Sequence, residues 1–213
     1  MRKETTEQKL NRIHEAAINL IETRDVNSIS IYDISREAGI ASSTIYHHYP
    51  KVESIFEHLM THVFKDFDNV LYGAINPANV HHWSDINKMI EGAFVDFYRK
   101  NKMVQNMLLC PHTFSSIRSR DLENDIRIGQ LVDGIYRQYF DIPKQPEHIN
   151  IFTVSLQLAD RVYSLDYRKL GYISEDMARE AIRVTEAYLS LYIPNIVKSN
   201  IDINQLSKSN LYI

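Results

Sequence analysis

Residues 28–56 read SISIYDISREAGIASSTIYHHYPKVESIF and contain two short helical patterns separated by a glycine. Ser30 and Asp33 form a capping pair, in which each side chain can bond the backbone amide of the other, so a helix is expected to begin after Ser30. It would end at Gly39, because glycine readily adopts the left-handed conformation that follows a helix end. A second short helix is expected at Ser42–His48. Two short helices joined by a glycine-containing turn predict a helix-turn-helix, whose second helix enters the major groove of DNA.

The second short helix has an apolar side and a polar side. Ile34 and Ala38 would face this helix from the first one, and Ile45 would pack back against them. The residues left pointing outward are small or polar: Ser42, Ser43, Thr44, His47 and His48. Such a surface is small and polar, as close approach of the helix to DNA requires.

The same stretch resembles the TetR/AcrR family, whose pattern runs from a Thr or Ser through an Ile-Ala pair, Ala-Gly-Val-Ser, Thr-Leu-Tyr and an aromatic residue to Lys-Glu and Leu. The positions in register here are Ser30, Ile34, Ala38-Gly39-Ile40, Thr44-Ile45-Tyr46, Tyr49, Glu53 and Ile55. With Ala16-Ala17 and Leu20, the likeness covers about residues 9–60. The resemblance implies a ligand-responsive transcriptional regulator, usually a repressor, that binds a palindromic DNA operator as a homodimer and is released by a small molecule.

The resemblance also implies contacts for individual residues. Those implied to approach bases are Ser42, Ser43, Thr44 and His47. Those implied to contact phosphates or sugars are Ser30, Tyr32, Tyr46 and His48. Tyr46 has an alternative role as a core residue of the N-terminal domain.

Two residues depart from the family pattern. Ala41 stands where the family usually has a serine that caps the recognition helix, and losing that cap costs about 1 kcal/mol unless Ser42 replaces it. Val52 stands where a lysine usually meets a phosphate. Lys51, one position earlier, would substitute for that lysine from the start of the fourth helix.

The whole chain has a helical pattern. Six glycines, six prolines and apolar residues at spacings of three and four predict an all-α fold of about nine helices. The expected division is a three-helix DNA-binding head at residues 1–50, linked by a long fourth helix at about 50–72, and a helical-bundle body for ligand binding and dimerisation at 51–198. Residues 199–213 are expected to form a flexible tail.

Caps and stops set the other helix boundaries. Thr5 and Gln8 fit a capping box for a first helix at about Thr6–Thr23. Beyond the fourth helix, the expected helices are 84–100, 102–109, 119–140, 147–170 and 174–193. Ser174 would cap the last of them, and Pro194 would stop it.

Composition limits the class of protein. The apolar runs fall far short of the roughly 20 residues needed to cross a bilayer, and MRKETTEQK lacks the apolar segment of a secretory signal, so a cytoplasmic protein without a membrane partner is expected. The single cysteine, Cys110, excludes an internal disulfide framework. The net charge is −3, and residues 1–56 carry seven Lys and Arg against eight Asp and Glu. The prediction of DNA binding therefore depends on pattern and not on a basic surplus.

The last two helices are apolar on two sides. In 147–170, one stripe comprises Ile149, Phe152, Leu156, Ala159 and Tyr163, and a second comprises Ile151, Val154, Leu158, Val162 and Leu165. A helix that is apolar on two sides is expected to be covered on both. The same two helices of a second subunit would provide that cover in a four-helix homodimer interface. The alternative is that both helices lie at the centre of the monomer core.

The body has aromatic side chains able to line an apolar pocket, and the resemblance implies a small-molecule effector there. The aromatic candidates are Phe94, Tyr98, Phe114 and Tyr136, and the polar candidates for orienting a ligand are His112, Gln157 and Arg161. The alternative is that the aromatic residues are core residues and the polar ones surface residues. An inward-facing Arg161 would favour an anionic ligand.

An enzyme is the main alternative class, and its motifs are missing from the sequence. His81, His82, His112 and His148 are possible metal ligands, but none is paired four residues along with another His or belongs to an H-E-x-x-H arrangement. There is no phosphate-cradling glycine loop and no Gly-x-Ser-x-Gly turn. The sequence thus predicts no catalysis, no cofactor and no metal. A further alternative is a helical small-molecule-binding protein that has lost specific DNA binding, as Val52 and the missing basic surplus would allow.

Overall fold

The structure, a computed structural model, describes residues 5–110 and 114–200. Within these residues it has nine α-helices and two 3-10 turns, at Val26–Ser28 and Pro77–Asn79. The helices are α1 Thr6–Thr23, α2 Ile31–Ala38, α3 Ser42–His48, α4 Val52–Ala74, α5 Trp83–Lys100, α6 Lys102–Leu108, α7 Ser115–Tyr139, α8 Ile151–Leu170 and α9 Glu175–Leu189. The all-α fold predicted from the sequence is confirmed. None of these nine helices combines the length and the hydropathy needed to span a membrane.

The chain divides into two compact units. The first comprises Met1–Asp66 and Tyr98–Asp121, and the second comprises Phe67–Phe97 and Leu122–Ile213. The first unit contains α1, α2, α3 and α6 as complete helices, and the second contains α8 and α9. Residues 98–121, which the sequence assigned to the body, thus belong to the unit that contains the helix-turn-helix.

Side-chain caps fix where several helices begin. At α1, the Thr5 hydroxyl accepts a 3.2 Å hydrogen bond from the Gln8 amide, and the Gln8 side chain accepts a 2.9 Å bond from the Thr5 amide. At α9, the Ser174 hydroxyl accepts a bond from the Met177 amide. Both caps were predicted from the sequence, and each satisfies amides that the first helical turn leaves without partners.

The start of α8 differs from the prediction because of a cap at Asn150. Its carboxamide oxygen accepts hydrogen bonds from the amides of Phe152 and Thr153, at 2.9 and 3.0 Å. The helix therefore begins at Ile151, four residues after the predicted start. The apolar pattern of the sequence continues backward through Ile149 and so predicts an earlier start, but Ile149 lies in the preceding loop.

The core of the first unit is formed by one face of α1 and by the short helices that follow it. Its buried residues include Ile13, Ala16, Ala17 and Ile21 of α1, Ile34 of α2, Ile45 of α3, and Ile55 and Phe56 of α4. The Asn106 side chain on α6 donates a 2.7 Å hydrogen bond to the Ile21 carbonyl. This bond ties α6 to the last turn of α1.

The second unit contains a close approach of α7 to α8. A Cβ atom at Gly129 would lie 2.3 Å from Oγ1 of Thr153, so only glycine permits this packing.

Two hydrogen bonds hold α5 to α9 and to the segment that follows α9. Asn87 Nδ2 donates to Thr185 Oγ1 at 2.9 Å, and Trp83 Nε1 donates to the Pro194 carbonyl at 3.1 Å. The interior of this unit is thus partly polar.

Residues 198–200 pair with the end of α7. The Asn200 amide donates to the Tyr139 carbonyl, and the Asp141 amide donates to the Lys198 carbonyl, both at 2.8 Å. Asn200, the second residue of the predicted tail, is therefore bonded to the second unit. Residues 201–213 of that tail lie outside the described residues.

Candidate nucleic-acid interface

The turn between α2 and α3 is held in place by hydrogen bonds to backbone carbonyls. Gly39 has φ 62°, in the left-handed region predicted for it. Nη2 of Arg12, on α1, donates to the Ala38 carbonyl and, at 3.4 Å, to that of Gly39. The Ser35 hydroxyl donates to the Ile40 carbonyl at 2.7 Å. Sequence reasoning missed the role of Arg12. This residue lies 26 positions before Ala38, and no pattern near it in the sequence indicates a contact with the turn.

The start of α2 is a charged network around Asp33. The Asp33 amide donates to the Ser30 hydroxyl, and that hydroxyl and the Ser30 amide donate to Oδ2 of Asp33 at 2.6 and 2.9 Å. Arg24 and Arg36 reach Oδ1 of Asp33 at 3.1 and 3.0 Å. The bonds from Ser30, and then the bond from Arg24, hold the pKa of Asp33 well below its usual range. The Ser30 hydroxyl already donates its proton inside the chain, so a phosphate contact would have to displace that bond.

Helix α3 has one fully buried residue, Ile45, which anchors it against the rest of the unit. Its exposed residues are Ser43, Tyr46 and His47, and its half-buried residues are Ser42, Thr44 and His48. The polar side chains predicted to approach DNA therefore lie together on one short helix. The arrangement leaves the face opposite Ile45 open to solvent.

The predicted loss of a cap at α3 is seen in the structure. Ala41 is the N-cap residue and makes no side-chain hydrogen bond. Ser42 is the first helical residue and does not take its place. The helix is consequently held by its packing and by the backbone bonds from Thr44 and Ile45 to the Ala41 carbonyl.

Two exposed tyrosines lie beside each other on α2 and α3. Tyr32 is 67% exposed and Tyr46 is 45% exposed. Their ring centroids are 6.4 Å apart at an interplanar angle of 74°. The core role considered for Tyr46 does not hold, because its side chain is at the surface. Lys51 is also exposed, immediately before the first residue of α4.

The candidate ligand residues are divided between the two units. Phe94 and Tyr136 are buried in the second unit, where Gln157 and Arg161 are exposed on α8. Tyr98 and Phe114 belong to the first unit, and the ring of Phe114 lies 5.8 Å from that of Phe56. His112 lies outside the described residues.

Sequence reasoning missed a buried carboxyl group, Glu91 on α5. Its exposed fraction is 2%, and its Oε2 accepts a 2.6 Å hydrogen bond from the Tyr163 hydroxyl. Burial raises the pKa of Glu91 to about 8. The available signal was its spacing, because Glu91 lies three and seven positions before the buried residues Phe94 and Tyr98.

Residues 13–59 match the family described as bacterial regulatory proteins, tetR family. Two curated relatives, both described as HTH-type transcriptional regulator BetI, match over 96 residues. The protein from Vibrio parahaemolyticus is 28% identical and that from Vibrio campbellii 27% identical. Each match covers 44% of this chain and 48% of the relative, so the chain spans about half the length of the curated relatives it matches.

Solved structures are similar over most of the chain. A TetR-family transcriptional regulator from Streptomyces coelicolor has a TM-score of 0.67 at 15% identity and covers 87% of this chain and 99% of its own. The fatty acid degradation regulator FadR from Bacillus halodurans has a TM-score of 0.62 at 16% identity, with coverage of 88% and 97%. At these identities the likeness concerns the fold. The match at residues 13–59 confirms the family resemblance predicted for that part of the sequence.

Proposed function

Because residues 13–59 match the model of the tetR family of bacterial regulatory proteins and the described chain is similar in fold to a solved TetR-family regulator, we propose that this protein is a DNA-binding transcriptional repressor. It occupies a palindromic operator as a homodimer, and a small-molecule effector bound by the body releases it. The observation that supports this proposal best is the geometry of α2 and α3. Their glycine turn is fixed by Arg12 and Ser35, and α3 exposes a polar face next to two surface tyrosines.

The proposed division of contacts is the one that the family resemblance implies. Ser42, Ser43, Thr44 and His47 approach bases from α3. Ser30, Tyr32, Tyr46, His48 and Lys51 contact phosphates or sugars around it. The tyrosine hydroxyls suit this second role, because a phenol on an exposed ring can donate a hydrogen bond to a phosphate oxygen without being desolvated in the free protein.

A dimer is required by the small number of base contacts. Each good contact discriminates between bases by about 1–3 kcal/mol, so one head with three or four of them cannot select a single site in a genome. The proposed interface is formed by the two C-terminal helices, α8 and α9, and includes an apolar surface of α8 that is partly exposed in the single chain. Leu165 is 51% exposed, and Leu158 and Val162 on the same stripe are only half-buried. The alternative, that α8 lies wholly within the monomer core, would leave this stripe unexplained.

The effector is proposed to bind in the second unit, with Phe94 and Tyr136 as aromatic contacts. Tyr98 and Phe114 belong to the first unit and are not part of this proposed site. His112 lies outside the described residues. Gln157 and Arg161 are exposed, so an effector that reaches them would bind at the surface of α8. The anionic effector that an inward-facing Arg161 would favour therefore has no support. Lowering operator affinity a hundredfold needs a coupling free energy of about 2.7 kcal/mol between the two sites.

The decisive experiment is footprinting on DNA from the region upstream of the protein's own gene, with competitor DNA, for wild type and for Thr44→Ala with His47→Ala. We expect a protected palindrome that the double substitution weakens. Thr61→Ala with His81→Ala is the matched control, because it removes the same two side-chain types from exposed positions outside α3. This control should footprint like the wild type.

The competing function is a helical small-molecule-binding protein whose head no longer reads DNA. Val52, in place of the usual lysine, and the lack of a basic surplus favour it. It predicts no specific complex at low salt, neither with the upstream region nor after selection from random sequences. That result would overturn the repressor proposal.

A further inference from the structure

Three histidines meet in the first unit, on helices other than α3. His14 lies on α1, and His58 and His62 lie on α4. The rings of His14 and His58 are stacked with centroids 4.6 Å apart, and those of His58 and His62 are 5.3 Å apart. A fourth aromatic residue, Tyr49, contacts the same cluster, with its ring centroid 6.1 Å from that of His58.

The spacing of His58 and His62 is suited to chelation. Side chains four residues apart on a helix lie on one face, and two histidines at this spacing form the helical half of many zinc sites. Imidazole nitrogen is a preferred ligand for zinc, copper and nickel ions. A third imidazole from another helix completes a three-histidine set that leaves one position for water. His14 on α1, whose ring centroid lies 4.6 Å from that of His58, is the candidate for that third ligand.

The hydrogen bond made by His14 suits a metal ligand. Nε2 of His14 lies 2.6 Å from the Tyr49 hydroxyl. A bond through Nε2 leaves Nδ1 as the coordinating atom and orients the ring, which is the usual role of a residue behind a ligating histidine.

We propose that His14, His58 and His62 form a binding site for a divalent transition metal ion such as Zn²⁺, with Tyr49 orienting His14. The rings of His14 and His58 are stacked and those of His58 and His62 meet edge to face, so coordination requires His58 and His62 to rotate about their side-chain torsions. Both are exposed, so other staggered rotamers are open to them. The bound ion joins α1 to α4, the helices that precede and follow the helix-turn-helix. This proposal does not depend on DNA binding.

The test is titration of the untagged full-length protein with Zn²⁺ against a chromophoric chelator, and with Co²⁺ followed by its visible absorption. We expect one ion per chain. His58→Gln with His62→Gln should weaken binding at least tenfold and abolish the Co²⁺ spectrum, while circular dichroism stays unchanged because both residues are at the surface. His81→Gln with His148→Gln removes two other exposed histidines and should bind the ions like the wild type.

Two further variants distinguish the proposed role of His14 as a metal ligand from the proposed role of Tyr49, which orients His14. His14→Gln should weaken the affinity and shift the Co²⁺ absorption, because it changes the donor set. Tyr49→Phe keeps all three histidines but removes the hydrogen bond to His14. It should lower the affinity for the metal ion about tenfold or more, as loss of such a supporting hydrogen bond does. The proposal is wrong if the wild type binds neither ion, or if the His58 and His62 double variant binds them as tightly as the wild type.

Discussion

The Tyr163 hydroxyl donates a 2.6 Å hydrogen bond to Oε2 of Glu91, and both side chains are buried inside the second unit. Burial is the main reason that the pKa of Glu91 rises from its ordinary 4.5 to about 8. The bond from Tyr163 opposes this rise, and the charge of Asp160 adds to it. At neutral pH the folded protein therefore holds a proton on Glu91 that the unfolded chain has lost.

Because the folded protein holds this proton on Glu91, the contribution of Glu91 to the free energy of unfolding should fall as pH rises. The contribution of Glu91 is fully present below about pH 4.5 and is lost progressively up to about pH 8, at up to about 1.4 kcal/mol per pH unit. Glu91→Gln removes this dependence, because an amide does not titrate. Urea unfolding at intervals from pH 5 to 8 should show the wild type losing stability relative to this variant. Glu123→Gln, an exposed position on α7, should follow the wild type, and parallel curves for wild type and Glu91→Gln would contradict the assignment.

Gly39 offers a test of the turn that positions α3. Gly39→Ala should destabilise the protein by about 1–2 kcal/mol, because a side chain disfavours a left-handed backbone and the new Cβ would lie 3.1 Å from Nη2 of Arg12. Thermal unfolding measures the loss. Gly134→Ala in α7 is the matched control: its Cβ meets nothing within 4 Å, so it should stabilise by about 0.5–1 kcal/mol. Equal effects of the two substitutions would show that the Gly39 conformation is not required.

The proposed dimer interface can be tested with a single charge. Leu165→Glu places a carboxylate on the exposed stripe of α8 and should shift the sedimentation coefficient from dimer to monomer at micromolar concentration, because a charge buried without a partner is strongly unfavourable. Leu122→Glu makes the same change at a leucine of α7 that is 46% exposed. That control should sediment like the wild type. A monomeric wild type, or a dimeric Leu165→Glu variant, would exclude this face as the interface.

The helices around the turn were predicted closely because their signals are local. Capping boxes at Thr5 and Ser30 and the glycine at 39 act within four residues, and the bounds of α1, α2 and α3 follow from them. The start of α8 was missed because the cap at Asn150 competes with an apolar pattern that continues past it. At the start of α8, local capping chemistry therefore outweighed periodicity.

Side-chain partners that are distant in the sequence could not be predicted. Arg12 binds the carbonyls of the turn from another helix, and only the fold brings them together. On α5, Glu91 and Phe94 are buried, whereas the apolar residues Met89, Ala93 and Phe97 are only half-buried. A helix of 18 residues with apolar side chains on several sides does not reveal which face its neighbours cover.

Lys51 is the residue whose role most needs a direct measurement, because it replaces a phosphate-binding lysine expected at position 52. Each phosphate contact contributes about 0.9 to the slope of log affinity against log salt concentration. Lys51→Gln in a homodimer should therefore reduce the magnitude of that slope by about 1.8 and weaken binding to all DNA sequences alike. Lys169→Gln, at an exposed lysine of α8, should leave the slope unchanged.

The variant Lys51→Gln with Val52→Lys should recover the slope if the two positions reach the same phosphate. If Lys51→Gln has no effect on the slope and Val52→Lys alone increases it, Lys51 does not contact the backbone and the wild-type head lacks that contact.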